Sequence, residues 1–126
     1  MKKQHSPRFL TLIANTKKRI KEISPQALHA KLQQKEPLTL IDVREDHEWP
    51  TGCIPSAIHL GKGVIERDIE TKLADPDTLI VVYCSGGFRS SLVADNLQTM
   101  GYTNVYSLET GLQGWCDAGY ELGKIS

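Results

Sequence analysis

The chain has 126 residues and a mass of 14.0 kDa, the size of one domain that can bury a core without disulfides or metal ions. Its 15 basic and 15 acidic side chains balance, so charge gives no reason to expect a nucleic acid or an anionic membrane as a partner. Three cysteines, with no CxxC pair and no histidine at ligand spacing, weigh against a disulfide framework and a metal site and favour a reducing compartment.

The N-terminal residues form the first predicted element. Apolar side chains recur at steps of three and four over residues 8–22, which predicts an amphipathic helix with a lysine-rich outer face. We assign residues 1–22 to an N-terminal helical extension and residues 23–126 to the main domain. Candidate roles of the extension are packing, a homodimer contact or partner docking. The early apolar stretch lacks a cleavage signature, and no apolar run is long enough to span a bilayer, so we expect a cytoplasmic protein.

Strands and helices alternate along the rest of the chain. Ser24 and Pro25 are a typical N-cap and first helical residue, and the run at 79–83 is apolar without the alternation of a sheet with one wet face. The predicted strands are 38–43, 57–60, 79–83 and 104–108, and the predicted helices are 25–34, 63–73, 89–100 and 111–119. This pattern predicts an α/β domain of three layers, with a central, mostly parallel sheet of about five strands and helices on both faces.

The sequence around Cys84 places a thiol where a strand ends and a helix begins. In a parallel sheet, ligands bind at this edge because the loop backbone and the helix N-terminus face the same crevice. Gly86 and Gly87 let loop N–H groups turn inward as an anion-binding nest, and these donors, the helix N-terminus and Arg89 would stabilise a thiolate. A free cysteine can also be a small core residue, but the combination of these features favours a nucleophile.

Further motifs accompany this loop in a definite order. The stretch LIDVREDHEWPTGCIPSAIHL contains an Asp-Val-Arg strand end with a downstream Glu and a Gly-x-Ile-Pro-x-Ala turn. The stretch IVVYCSGGFRSSLVADNLQTMGYTNVYSL contains a Cys-x-x-Gly-x-Arg loop and a Gly-Tyr-x-Asn-Val lead-in to a strand. The sequence GLQGW follows. Together they resemble the successive signatures of the rhodanese (sulfurtransferase) domain over roughly residues 24–122. Several ordered motifs are more specific than any single one.

The resemblance implies a single-domain rhodanese with Cys84 as the catalytic nucleophile. The cysteine would attack the outer sulfur of a small anionic donor such as thiosulfate, release sulfite, hold the sulfur as a persulfide and pass it to cyanide or a cellular thiol. No cofactor and no metal are implied. The residues expected to bind substrate are Ser85, Gly86, Gly87, Phe88, Arg89 and Ser90.

The loop fits other functions less well. A cysteine-based phosphatase needs a longer loop between its cysteine and arginine, whereas four residues intervene here, and no Asp or Glu in the window is an obvious general acid. Two alternatives stay open. One is a rhodanese-like module that carries persulfide or docks a partner without significant turnover, and the other is a redox protein that uses Cys84 with Cys53.

The sequence departs from the family pattern at two positions. Cys53 stands where the Gly-x-Ile-Pro turn usually has histidine, and Thr110 stands where the last helix is usually entered through a second glycine. Both departures lie outside the Cys84 loop. We interpret Asp42, Arg44 and Glu48 as charge-paired support that positions the active loop.

Overall fold

The central sheet is built from five short strands. In the computed structural model, which describes residues 5–123, these are β1 (Lys21–Ile23), β2 (Thr39–Asp42), β3 (Ile58–His59), β4 (Ile80–Tyr83) and β5 (Val105–Leu108). Their order is β1-β5-β4-β2-β3, and every pairing is parallel. All four residues of the central β4 are buried, as expected for a strand covered on both faces. The predicted α/β fold with a parallel sheet of about five strands is confirmed.

Helices cover both faces of this sheet. They are α1 (Pro7–Lys17), α2 (Pro25–Gln33), α3 (Ile65–Lys72), α4 (Arg89–Thr99) and α5 (Gly111–Asp117). Side chains of α3 and α4 pack with Ile80 and Val82, whereas α2 and α5 pack with Val81 on the opposite face. Burial of each such Ile or Val side chain contributes about 1.5–3 kcal/mol. The first helix, α1, lies outside these layers, against α4.

The N-terminal segment differs from the prediction in where its helix ends. α1 stops at Lys17 instead of continuing to residue 22, and Lys21–Ile23 joins the sheet as the edge strand β1, paired with β5. A strand of three residues is too short to show a period of its own in the sequence. Residues 1–4 of the predicted extension lie outside the described residues.

Two helix ends are formed by the residues that the sequence pattern indicates for them. The Oγ of Ser24 accepts a hydrogen bond from the N–H of Ala27 (3.1 Å), with Pro25 at the first helical position of α2. After α4, Gly101 adopts φ +102°, which glycine does without strain. Across the described part of the chain, no helix combines the length and apolarity needed to cross a membrane.

Candidate active site

Cys84 follows β4 directly, at the carboxyl edge of the sheet. The residue is 1% exposed, and its Sγ accepts hydrogen bonds from the N–H groups of Gly87 (3.2 Å) and Ser90 (3.4 Å). Ser90 lies in the first turn of α4, so the sulfur is also near the positive end of that helix dipole. These donors stabilise a negatively charged sulfur more than a neutral one, and the thiolate is the form that acts as a nucleophile.

The start of α5 holds the first half of this loop. The N–H groups of Leu112 and Gln113 donate to the carbonyl oxygens of Cys84 (2.8 Å) and Ser85 (2.9 Å). Gly111 has φ +62°, and a Cβ there would lie 2.6 Å from the Cys84 carbonyl oxygen. Only glycine fits this contact. The start of α5 therefore also shapes the loop that carries the cysteine.

The two loop glycines differ in what they do. Gly87 has φ +93°, and a Cβ there would collide with the backbone carbonyl of Glu109. Gly86 is exposed, and a Cβ there would meet nothing within 4 Å. Of the two glycines predicted to form the nest, Gly87 is therefore the one that must be glycine, and its N–H donates to the Cys84 Sγ.

The backbone before α5 tolerates Thr110 at the position where the family pattern has a glycine. Thr110 adopts φ −116°, which any L residue can adopt. Its side chain lies over Gly114, where a Cβ would collide with the Thr110 Oγ1. The glycine that the loop contact requires, Gly111, is the one that this chain retains.

A buried serine behind the sulfur was missed by the sequence reasoning. Ser107 of β5 is fully buried, and its Oγ lies 2.7 Å from the Oγ of Ser90, which in turn lies 3.6 Å from the Cys84 Sγ. Because a hydroxyl can donate or accept, Ser90 can accept from a thiol or donate to a thiolate. The available signal was a serine within the otherwise apolar strand β5, since a buried hydroxyl needs a partner.

Arg89 is bound by a carboxylate of the same chain. Its guanidinium donates to both Glu48 oxygens (2.8 and 3.2 Å) and to the Ser85 Oγ (3.0 Å), while the Ser85 hydroxyl donates to Glu48 (3.1 Å). The hydrogen bonds from Arg89 lower the pKa of Glu48 to about 2 against the opposing effect of burial. Sequence reasoning proposed Arg89 as a partner for an anionic substrate; the structure shows its guanidinium paired within the chain.

The pair of Asp42 and Arg44 supports a different segment. Both residues are buried, and the Arg44 Nε and Nη2 donate to the Asp42 carboxylate at 2.8–3.0 Å. The Nη2 also donates to the carbonyl oxygen of Gly52 (2.6 Å). A buried ion pair is tolerated only when its donors and acceptors are satisfied, and here the turn at Gly52 supplies a further acceptor for the Arg44 guanidinium. Of the three predicted support residues, Glu48 is therefore the one bound to the active loop.

Cys53 lies in that turn, and its neighbour Ile54 packs on the opposite face of the sheet from Cys84. The N–H of its neighbour Ile54 donates to the Tyr83 hydroxyl (3.0 Å), and Ile54 and Tyr83 belong to the apolar layer under α2 and α5. Cys84 belongs to the layer under α3 and α4. Burial raises the pKa of the Cys53 thiol. Among residues 5–123, no cluster of three or more His, Cys, Asp or Glu side chains is suited to hold a metal ion.

Comparison with known proteins identifies relatives of this chain. The model of the family described as "Rhodanese-like domain" matches residues 24–118. The "Putative sulfurtransferase YtwF" of Bacillus subtilis (strain 168) is 43% identical over 96 residues, which cover 76% of this chain and 90% of that protein. Other curated relatives are longer, and the chain spans about a third to a half of their length.

Solved structures share the fold. The polysulfide-sulfur transferase homodimer of Wolinella succinogenes has a TM-score of 0.78 at 26% identity, with 94% of this chain and 89% of that chain covered. A protein of Rhodopseudomonas palustris CGA009, named "Protein of Unknown Function RPA3614, Possible Tyrosine Phosphatase", has a TM-score of 0.81 at 26% identity, with 98% and 99% covered. The family match includes the central strand, the cysteine loop and the helix after it, so the chain belongs to the rhodanese-like domain family.

Proposed function

We propose that this chain is a sulfurtransferase that carries a sulfane sulfur on Cys84 as a persulfide. The donor is a small sulfur-containing anion such as thiosulfate, and the acceptor is a thiol, or cyanide in an assay. Membership of the family and relatives named as sulfur transferases support sulfur transfer. The observation that supports Cys84 as the carrier is its buried Sγ with two N–H donors at the start of a helix.

The proposed reaction has two displacement steps. In the first, the Cys84 thiolate attacks the outer sulfur of thiosulfate, a new S–S bond forms, the S–S bond of the donor breaks, and sulfite leaves with the electron pair. In the second, cyanide or a thiolate attacks the outer sulfur of the persulfide and the Cys84 thiolate leaves. The two steps balance without an external oxidant or reductant. The N–H groups of Gly87 and Ser90 stabilise the anionic sulfur at the beginning and at the end of the cycle.

The pairing of Arg89 supports sulfur chemistry over phosphate chemistry. A phosphatase of this strand-loop-helix type needs its arginine to bind the phosphate oxygens, and bidentate binding uses the same donors. In this chain those donors are bound to Glu48. The loop between Cys84 and Arg89 also has only four residues. Both features favour a sulfur atom over a tetrahedral phosphate as the group that is transferred.

The test is mass spectrometry of the purified protein after exposure to thiosulfate, followed by cyanide, with Cys84→Ser alongside. We expect one added sulfur on Cys84 that cyanide removes as thiocyanate, and no addition in the variant. A bare Cys84 thiol after thiosulfate and after other sulfane donors would contradict the proposal. A persulfide that forms but is not discharged by cyanide or thiols would instead identify a carrier module without turnover.

A further inference from the structure

Basic and acidic side chains are unevenly distributed along the chain. Residues 1–22 hold seven of the 15 basic side chains and one of the 15 acidic ones, whereas residues 23–126 hold the other eight basic and 14 acidic ones. The overall balance of charge therefore conceals a cationic N-terminal segment and an anionic remainder. Because each copy of the chain carries both signs in separate segments, one copy can offer a complementary partner to another.

The outer face of α1 carries part of the positive charge. Arg8, on α1, and Lys18, at its C-terminal cap, are exposed, and neither forms an ion pair within the part of the chain that the structure describes. At 3.6 residues per turn, both lie on the side of the helix opposite the buried Ile13. Leu12 lies on the same side and is 48% exposed. This face is thus cationic with an apolar residue near its middle.

The helix α3 and the loop after it carry negative charge. Residues 65–77 hold five acidic and two basic side chains. Glu66 and Glu70 are four positions apart, so they lie on one side of α3. The Asn96 side chain of α4 donates to the Glu66 carboxylate (2.9 Å), which shows that this side borders α4. Glu70 is exposed and has no ion-pair partner among residues 5–123.

The helix α4 lies between the basic and the acidic element. Just after α1, the Arg19 guanidinium donates to both carboxylate oxygens of Asp95 (3.2 and 2.8 Å), whereas the next residue of α4, Asn96, binds α3. Consecutive residues of a helix point about 100° apart, so α1 and α3 flank α4 on different sides. One turn after Asn96, Met100 is 37% exposed. We call the surface formed by α1, α4 and α3 the three-helix face.

We propose that the three-helix face is the contact surface of a homodimer with twofold symmetry. A rotation of 180° about an axis through α4 places the α1 of each copy on the α3 of the other, so two contacts of opposite charge form. Arg8 and Lys18 then face Glu70 of the second copy, and Leu12 and Met100 become covered. A second copy fits this surface better than an acidic protein or an anionic membrane does, since either of these would match α1 alone and would be repelled by α3. The inference does not depend on the chemistry at Cys84.

The first test is sedimentation equilibrium of the full chain in 0.1 M and 1 M NaCl. We expect a dimer in 0.1 M NaCl, with a dissociation constant at least about tenfold higher in 1 M NaCl, because the Debye length falls from about 10 Å to about 3 Å. A monomer at every protein concentration, or a dimer whose dissociation constant does not change with salt, would overturn the proposal. A monomer that binds phosphatidylcholine vesicles containing phosphatidylglycerol through Lys18 would overturn it in favour of a membrane surface.

The second test exchanges the charges across the proposed contact. Lys18→Glu and Glu70→Lys should each raise the dissociation constant at least about tenfold, because like charges then meet at both contacts. An equimolar mixture of the two variants should dimerise as the wild type does, since one contact has both signs reversed and the other is unchanged.

The matched control is Lys35→Glu, which makes the same change of charge at an exposed position after α2 and should leave the dissociation constant within about twofold. If Lys18→Glu has a lower thermal midpoint than the wild type, Arg8→Glu takes its place in the mixture. A mixture that stays as weakly associated as the separate variants would contradict the twofold arrangement.

Discussion

Cys84 and Cys53 are both buried cysteines next to a turn, yet their surroundings differ. The Cys84 sulfur has two backbone N–H donors and a helix N-terminus beside it. The thiol of Cys53 has its pKa raised by burial, and the carboxylate of Asp42 adds to this effect, while its backbone pairs with Gly123. Burial by itself therefore does not make a cysteine a nucleophile. Donors directed at the sulfur favour that role, because they stabilise the charged form that burial disfavours.

The largest expected difference is between the two variants in which Cys84 or Cys53 is replaced by serine. Cys84→Ser should lower sulfur transfer roughly a thousandfold or more, since the proposed nucleophile is removed. Cys53→Ser should retain activity within about twofold, because Cys53 takes no part in the proposed steps and its neighbour Ile54 packs on the opposite face of the sheet from Cys84. The rate of thiocyanate formation measures sulfur transfer by both variants. A comparable loss in Cys53→Ser would favour a cycle that uses a Cys53–Cys84 disulfide.

The second largest effect is expected from replacing Gly87, whose N–H donates to the Cys84 sulfur. Gly87→Ala should cost about 1–3 kcal/mol of unfolding free energy, because its φ of +93° and the Glu109 carbonyl leave no room for a Cβ. It should also lower sulfur loading at least about tenfold, since the N–H that donates to the sulfur moves. The matched control is Gly86→Ala, where a Cβ meets nothing within 4 Å. Equal behaviour of the two variants in urea unfolding and loading assays would contradict the assignment.

A smaller effect is expected from the hydroxyl pair behind the sulfur. Ser107→Ala removes the partner of Ser90 and should cost about 0.5–1.5 kcal/mol of unfolding free energy. It should also slow alkylation of Cys84 by iodoacetamide about two- to fivefold, because the Ser90 hydroxyl loses the hydrogen-bond partner that polarises it. Ser91→Ala removes another buried hydroxyl, bound to the Phe88 carbonyl, and should affect stability alone. If both variants react at the wild-type rate, the hydroxyl pair has only a structural role.

The smallest effect concerns the ion pair that binds the loop. The pKa of Glu48 is lowered to about 2 by Arg89, so the pair contributes stability above the ordinary pKa of 4.5, and this stability is lost as the pH falls from 5 towards 2. Because both side chains are partly exposed, we expect about 1 kcal/mol of it to disappear between pH 5 and pH 3. Urea unfolding of the wild type and Glu48→Gln at both pH values measures it. An identical pH dependence in the two proteins would show that the pair contributes nothing.

Local features of the fold were predictable, whereas one strand was not. The run at 79–83 became the buried centre of the sheet, Ser24 became a helix cap, and Gly101 ended a helix, since each depends on residues within a few positions. The first two residues of the strand Lys21–Ile23 fall in the helix predicted for residues 8–22, because their pattern continues that of residues 8–17. Its extended conformation is stabilised by pairing with β5, more than 80 residues later in the chain, and no local pattern reports such a partner.

The sequence by itself determined the strand, the cysteine loop and the helix after it, because the length of the loop and its glycines act on adjacent residues. The tertiary structure decided which groups surround that loop. Glu48 binds Arg89 across 41 positions, Ser107 reaches Ser90 across 17, and rings from the N-terminal segment contact Phe88. Glu48 and Ser107 reach the loop because the carboxyl ends of parallel strands meet at one edge of the sheet, a relation that spacing along the chain does not encode.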